Sequence, residues 1–233
     1  MPPTIARAQS SLVRGQRARA FGTQERPDPM PLAKRVLDLV IALPALILAA
    51  PFLLLAALAV RATSPGPALF RQVRIGRGGR PFTMLKLRTM REGDDEAFRS
   101  FNVDEILGRA TPGEDGIYRL DSDPRITAFG RWLRRYSLDE VPQLINVVRG
   151  EMSLVGPRPS LPFEVELYTP EQRRRHDCLP GITGLWQVSG RNRLSIQEML
   201  ALDLDYVERR SLWLDLLILW RTPRTVLLDH DTR

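Results

Sequence analysis

Residues 134–159 read RRYSLDEVPQLINVVRGEMSLVGPRP, and the fold is organised around them. Val141, Leu144, Ile145 and Val148 recur at helical spacing, Ser137 and Glu140 have the separation of a capping box, and Gly150 follows Arg149 as a stop. Pro142 is compatible with a helix only close to its start. The stretch therefore predicts a basic turn, a short helix and a rigid arginine loop. Asp139 and Glu140 fall in the first turn, where backbone N–H groups and the dipole favour negative charge and attract phosphate. Two readings follow. Carboxylates at this position usually do no more than cap and charge-match a helix. The alternative makes Asp139 a nucleophile or metal ligand, with Arg134 before it and Arg158 after it gripping a phosphorylated substrate. Gly156-Pro157-Arg158-Pro159 favours the second, because proline on both sides limits the backbone that carries the arginine and lowers the entropy cost of aiming its fork.

Upstream, Leu39 to Val60 contains no charged residue and is long enough to cross a bilayer as one helix, which needs about 20 residues. Lys34 and Arg35 precede the run while Arg61, Arg71, Arg74 and Arg77 follow it, so the positive-inside rule assigns both ends to the cytoplasm. A single crossing cannot satisfy that. Pro44 and Pro51 interrupt the run, and interior proline removes a helix hydrogen bond and bends the axis. A broken, re-entrant membrane helix over 31–62, entering and leaving through one leaflet, meets both constraints. Asp38 at the apolar boundary is costly unless paired, and Arg35 is its expected partner. Residues 1–30 scatter Arg7, Arg14, Arg17, Arg19 and Arg26 with little apolar periodicity, which predicts a disordered basic tail and not a signal peptide.

Downstream, 63–233 predicts a small cytoplasmic domain of the α+β class, mainly helical. Phe70–Ile75 and Phe82–Arg88, around Gly76-Arg77-Gly78-Gly79, read as a β-hairpin whose glycines are turn residues without a Walker pattern. Alternation puts Lys86 and Arg88 on one face, most simply a solvated strand edge. Residues 91–123 are acidic and punctuated by Gly, Pro and Asp; Gly93-Asp94-Asp95-Glu96 lacks metal-ligand spacing, and the segment reads as a mobile cover over the site. Thr169-Pro170-Glu171-Gln172 opens a helix with proline in the first position. Pro180 to Asn192 is a glycine-punctuated loop, longer than connectors usually run without function. Ser195 and Glu198 form a second capping box, opening a helix through about Val207 on which Asp203 and Asp205 are expected to be exposed. Ser211 to Leu228 is again apolar, with Trp213 and Trp220 two turns apart on one face and Arg221 and Arg224 beyond. This fits core packing or an amphipathic helix lying in the headgroup region equally well. Asp215 in that setting is expected to pair with an arginine.

Composition narrows the chemistry. Lys and Arg total 34 against 27 Asp and Glu, a net charge of +7, which points to phosphates, acidic lipid or nucleic acid as partners. Cys178 is the only cysteine, so no intramolecular disulfide forms, in keeping with a reducing compartment. With His176 and His230 the only histidines, a histidine zinc site or a Ser-His-Asp relay has too few parts, and catalysis must rest on carboxylates, Arg and Lys. The rival reading is a non-catalytic basic protein, membrane-anchored, that binds lipid or nucleic acid. Aromatic residues are only 7% and do not interleave with the arginines, so no nucleic-acid partner is expected.

Ser137–Val147, SLDEVPQLINV, followed by Gly150–Pro159, GEMSLVGPRP, resembles the core of the bacterial sugar transferases, the monotopic polyprenyl-phosphate phosphoglycosyl transferases. The likeness runs from Lys34 to about Leu228. It implies an enzyme that moves a sugar 1-phosphate from a UDP-sugar to undecaprenyl phosphate, the first membrane step of exopolysaccharide or other glycoconjugate synthesis. By that resemblance Asp139 attacks the sugar-side phosphorus to give a phosphosugar-aspartyl intermediate, and Glu140 positions Mg²⁺ or handles protons; whether Asp139 or Glu140 holds the metal stays open. Lys86 matches a Lys-Phe-Arg-Thr-Met motif and is implied to be an active-site cation, while Arg134, Arg158 and Arg191 are implied to bind substrate phosphate. The 180–192 loop is implied to border the sugar-nucleotide pocket, with Leu179 standing where a basic residue is usual. The resemblance also implies the re-entrant helix, with Lys34, Arg35 and Asp38 at its entry and its break at Pro51, where Ser-Pro is common and this chain has Ala50-Pro51; Pro44 is an additional departure. Leu185–Asn192, LWQVSGRN, resembles members that transfer glucose or galactose phosphate, with a different UDP-sugar as the alternative. The implied location is the cytoplasmic face of the bacterial inner membrane, monotopic and in contact with membrane lipid. A homodimer is compatible with it.

Overall fold

The computed structural model describes residues 30–91, 96–110, 112–113 and 125–228. The expected basic tail apart from Met30, residues 92–95 of the acidic run, Asp123-Pro124 and His230 lie outside the described residues. Helix α1, Leu32–Thr63, continues through both Pro44 and Pro51. Among the described residues it alone is long and apolar enough to cross a membrane, and only 11% of its most apolar window is buried by the protein. Its buried positions fall in two groups at four-residue spacing: Lys34, Asp38 and Ala42, then Ala56 and Val60. Nothing from 43 to 55 is buried, and Ile47 and Leu48 are 72% and 80% exposed. Both ends of α1 therefore pack on the body while its middle stands clear.

A buried polar knot fixes the first end. Lys34 Nζ lies 3.2 Å from Asp38 Oδ1 and 2.9 Å from Asp215 Oδ2. The Leu154 N–H also donates to Asp38, and the Tyr206 hydroxyl to Asp215. The expected Arg35–Asp38 pair does not form, nor does Asp215 take an arginine. Lys34 and Asp38 are one helical turn apart on the same face. Arg35 instead donates to the carbonyls of Val147 and Val148 at 2.6 and 2.7 Å. Those carbonyls close helix α4, Gln143–Arg149, and its negative dipole end attracts the guanidinium.

Strands β1, Leu69–Ile75, and β2, Pro81–Leu87, form the expected antiparallel hairpin, Phe70 opposite Lys86 and Arg74 opposite Phe82. Gly78 and Gly79 at its turn have φ of 61° and 68°, the region glycine enters without strain. Helix α2, Glu96–Ile106, and helix α3, Ala128–Arg135, follow. After α4, short strands β3, Ser153–Val155, and β4, Gly181–Thr183, pair in parallel. Between them lie α5, Pro162–Leu167, and α6, Pro170–Arg173, the latter opening on proline as its sequence predicts and capped by Thr169. The 180–192 segment holds more structure than a loop, with β4 and helix α7, Leu185–Ser189. Helix α8, Ile196–Arg209, carries the Ser195–Glu198 capping box, and α9, Leu212–Leu228, ends the described chain.

Three apolar clusters hold these elements. Ala42 meets Met84, Val147, Met152, Leu154 and Ile218; Ala56 and Val60 meet Leu87 and Leu133; Ile75 and Ile106 meet Val165, Ile196 and Leu200. On α4 the fully buried residues are Gln143, Asn146 and Val147, not the predicted Val141, Leu144, Ile145 and Val148 stripe. Asn146 accounts for the rotation of that face: its Oδ1 accepts the Leu85 N–H, and its amide donates to Thr83 O and Glu151, tying α4 to β2. Trp213 and Trp220 are 77% and 83% exposed, so α9 does not bury them in the core.

Asp203 corrects the expectation of a solvated helix face. It is fully buried and ion-paired to Arg175, both side chains about 1% exposed. Arg175→Met should destabilise the protein by about 3–5 kcal/mol, because it strands a buried carboxylate. Arg174→Met, which breaks a half-exposed pair with Glu208, should cost at most about 1 kcal/mol. Urea unfolding of both variants in detergent, followed by tryptophan fluorescence, checks the difference.

Candidate active site

The turn Leu138–Glu140 and strand β2 set the centre. Ser137 has a φ of 53°, in the left-handed region, and the predicted Ser137–Glu140 capping box is not formed. The polar groups are committed across the cleft instead. The Ser137 hydroxyl accepts from Arg191 Nη2 at 3.2 Å, and Glu140 Oε1 lies 2.7 Å from Lys86 Nζ. Arg191 itself has a φ of 50°. Arg134 Nε donates to Thr89 Oγ1 at 2.8 Å, which fixes its stem at the end of α3.

The arginine loop is held by its own carbonyls. Pro157 O accepts the Gly181 N–H, Arg158 O accepts from Arg175, Pro159 O from Arg74, and Ser160 O the Ile75 N–H, at 2.8–3.0 Å. The strands beside it approach so closely that a Cβ on Gly156 would sit 2.4 Å from Leu179 O, and one on Gly181 would sit 2.1 Å from the Gly156 nitrogen. Arg158 thus projects from a rigid backbone, as its flanking prolines predict.

Asp139, Glu140, Lys86, Arg134, Arg158 and Arg191 all line one open cleft of about 2080 Å³. That is well above the ~1,000 Å³ upper range of small-molecule sites, so it has room for two substrates. Leu54, Ala57 and Leu58 of α1 also line it. Lys34, Arg35 and Asp38 lie away from it, in the knot and cap at the start of α1.

Electrostatics separate the two carboxylates. Asp139 is 7% exposed, and burial pushes its carboxyl above the usual range; Lys86 pulls it down, Glu140 pushes it up and Arg134 pulls it down. For Glu140 burial also acts upward, but Lys86, then Arg191 and Arg158, outweigh it and hold it below the usual range. Among the described residues no cluster of three His, Cys, Asp or Glu forms a complete metal cage. The adjacent carboxylates nonetheless fit Mg²⁺, which takes one or two protein carboxylates together with substrate phosphate oxygens.

Two buried cleft cations escaped the sequence reading. Arg74 is buried, and its pKa falls to about 10 through burial and the nearby Arg158. Arg88, expected at a solvated edge, is 8% exposed and donates to the Ser64 carbonyl and hydroxyl. A signal for Arg74 existed. In the hairpin register Phe70 opposes Lys86, so Gln72 and Arg74, alternating with Phe70, share the face of Lys86.

Residues 30–229 match the family described as bacterial sugar transferase. The chain is 45% identical over 208 residues to the UDP-glucose:undecaprenyl-phosphate glucose-1-phosphate transferase of Caulobacter vibrioides, covering 86% of this chain and 72% of that protein. It is 43% identical over 201 residues to the exopolysaccharide production protein ExoY of Rhizobium meliloti, covering 86% and 88%. It is 40% identical over 194 residues to the undecaprenyl-phosphate galactose phosphotransferase of Salmonella typhimurium, covering 83% of this chain and 40% of that protein.

Lys86→Met should raise the protonation midpoint of Asp139, since loss of a neighbouring cation disfavours the charged carboxylate. A pH titration of the carboxyl infrared band, assigned by difference against Asp139→Asn, measures it. A midpoint that stayed fixed or fell would contradict the assigned electrostatics.

Proposed function

As a member of the bacterial sugar transferase family, to which the match over residues 30–229 assigns it, the chain is, we propose, an enzyme that transfers glucose or galactose 1-phosphate from a UDP-sugar to undecaprenyl phosphate in exopolysaccharide synthesis. The observation that carries this reading is the carboxylate pair Asp139 and Glu140 in a cleft with Lys86, Arg134, Arg158 and Arg191, a cleft lined in part by the apolar helix α1. A nucleotide sugar can reach it from water and a polyprenyl phosphate from lipid.

In the first step an Asp139 carboxylate oxygen bonds to the phosphorus that carries the sugar. The bond from that phosphorus to the bridging oxygen breaks, and UMP leaves with the electron pair. In the second step a phosphate oxygen of undecaprenyl phosphate bonds to the same phosphorus, the bond to Asp139 breaks, and the carboxylate is regenerated. Arg134, Arg158 and Arg191 hold the phosphate oxygens and offset charge that develops in transfer. Lys86 keeps Glu140 ionised and favours the reactive, deprotonated form of Asp139. Mg²⁺ held by Glu140 or Asp139 would screen the diphosphate so that a carboxylate can approach it.

The membrane arrangement follows the same logic. Exposed Ile47, Leu48, Leu54 and Leu55 need an apolar surrounding, and two ends of α1 on one body with a bare middle between them support a re-entrant helix over 31–62. The outward tryptophans of α9 support a helix lying at the interface of the inner membrane's cytoplasmic face.

Detergent-purified protein given undecaprenyl phosphate, Mg²⁺ and UDP-glucose or UDP-galactose should release UMP. Asp139→Asn, which preserves side-chain size, should lower the rate by about 10³-fold or more. Full activity in that variant would remove Asp139 as nucleophile. Silence of the wild type across a wider panel of UDP-sugars would overturn the transfer itself.

A further inference from the structure

The transferred sugar is bonded to the phosphorus that Asp139 would attack, so its hydroxyl groups must lie beside the phosphate-gripping cations. One wall of the cleft there is α2, within the segment the sequence presents as a mere cover. Phe98, Phe101, Asn102 and Glu105 of α2 line the cleft together with Arg158 and Trp186 of α7. Asn102 is 3% and Glu105 7% exposed, although both belong to residue types that normally face water.

We propose that Glu105 and Asn102, with the indole of Trp186, form the subsite that recognises the hydroxyl groups of the donor sugar. Glu105 accepts one backbone N–H, from Ile196 at the start of α8; burial nevertheless pushes its carboxyl to about 7, with Arg158 acting against the rise. One hydrogen bond leaves that carboxyl accepting capacity that a ligand in the cleft can use. The Trp186 Nε1–H is buried and has no hydrogen-bond partner. The wall therefore offers both an unmet donor and an acceptor, which a polyhydroxylated ring satisfies together. Phe98 and Phe101 supply apolar surface for its C–H face. The influence of Arg158 on Glu105 ties this wall to the phosphate site.

A purely structural reading assigns Glu105 to the N-terminus of α8. The Ser195–Glu198 capping box already serves the Ser195 and Glu198 N–H groups there, so that end occupies Glu105 only through the Ile196 N–H.

The inference rests on the transfer reaction proposed above, and its test separates the two. Steady-state UMP release is measured for wild type, Glu105→Gln and Trp186→Phe with UDP-glucose and with UDP-galactose, and inhibition by UMP, which lacks the sugar, is measured in parallel. Both variants should raise the donor KM about tenfold or more and change the ratio of kcat/KM between the two hexoses, because a site built to bond a hydroxyl discriminates strongly. The UMP inhibition constant should stay within about twofold, as a ligand without the sugar does not touch this wall. Wild-type turnover with unchanged donor kinetics in both variants, or donor and UMP affinities that weaken in parallel, would overturn the subsite and leave the reaction standing. Wild-type silence with every donor would instead sink the reaction.

Discussion

Like charges gathered in one cleft repel, and the catalytic half of this protein is arranged around that constraint. Lys86, Arg74, Arg134, Arg158 and Arg191 share a single opening, and the lowered pKa of Arg74 records part of the strain. Each cation is therefore held by something other than its neighbours. Lys86 has Glu140, Arg134 has Thr89, Arg191 has Ser137, and Arg74 has Gln72 and the Pro159 carbonyl. Arg158 is held through its backbone, pinned from beneath by Arg175, which the buried Asp203 in turn compensates. The geometry is set before an anionic substrate arrives, so little reorganisation is left for the binding step.

The same economy of partners governs the membrane half. Lys34, Asp38 and Asp215 are charged groups buried at the root of the apolar helix, and each would be expensive alone. Together, and with donors from Leu154 and Tyr206, they turn the root of an apolar helix into a fixed joint. Arg35, one residue along, uses the C-terminal carbonyls of α4 and so couples that joint to the helix that follows the Asp139 turn.

Features written in local chemistry were readable in advance. The Ser195–Glu198 capping box, the αL stop at Gly150, the hairpin around Gly76–Gly79 and the adjacency of Asp139 to Glu140 need only neighbours in sequence. The six cleft residues could be named because long motifs carry them. What could not be read depends on partners far along the chain. Ser137 has the spacing of a cap, yet Arg191 claims its hydroxyl and the turn adopts a left-handed residue. Asp203 looks like any helix-surface aspartate until Arg175, 28 positions earlier, is folded against it. Asn146 reads as a polar interruption of an apolar stripe, but its bonds to β2 leave it fully buried, like Val147 beside it.

The Lys34 joint also bears on how the chain is made. Its two carboxylate partners sit in the first and last described helices, so the joint stays incomplete until α9 has emerged. Through most of synthesis Lys34 has only Asp38, on its own helix, for company, and the apolar stretch beyond must find lipid before its base is secured. Local pairing at one-turn spacing gives that nascent segment a compensated Asp38 at its root, which the domain later locks from the outside.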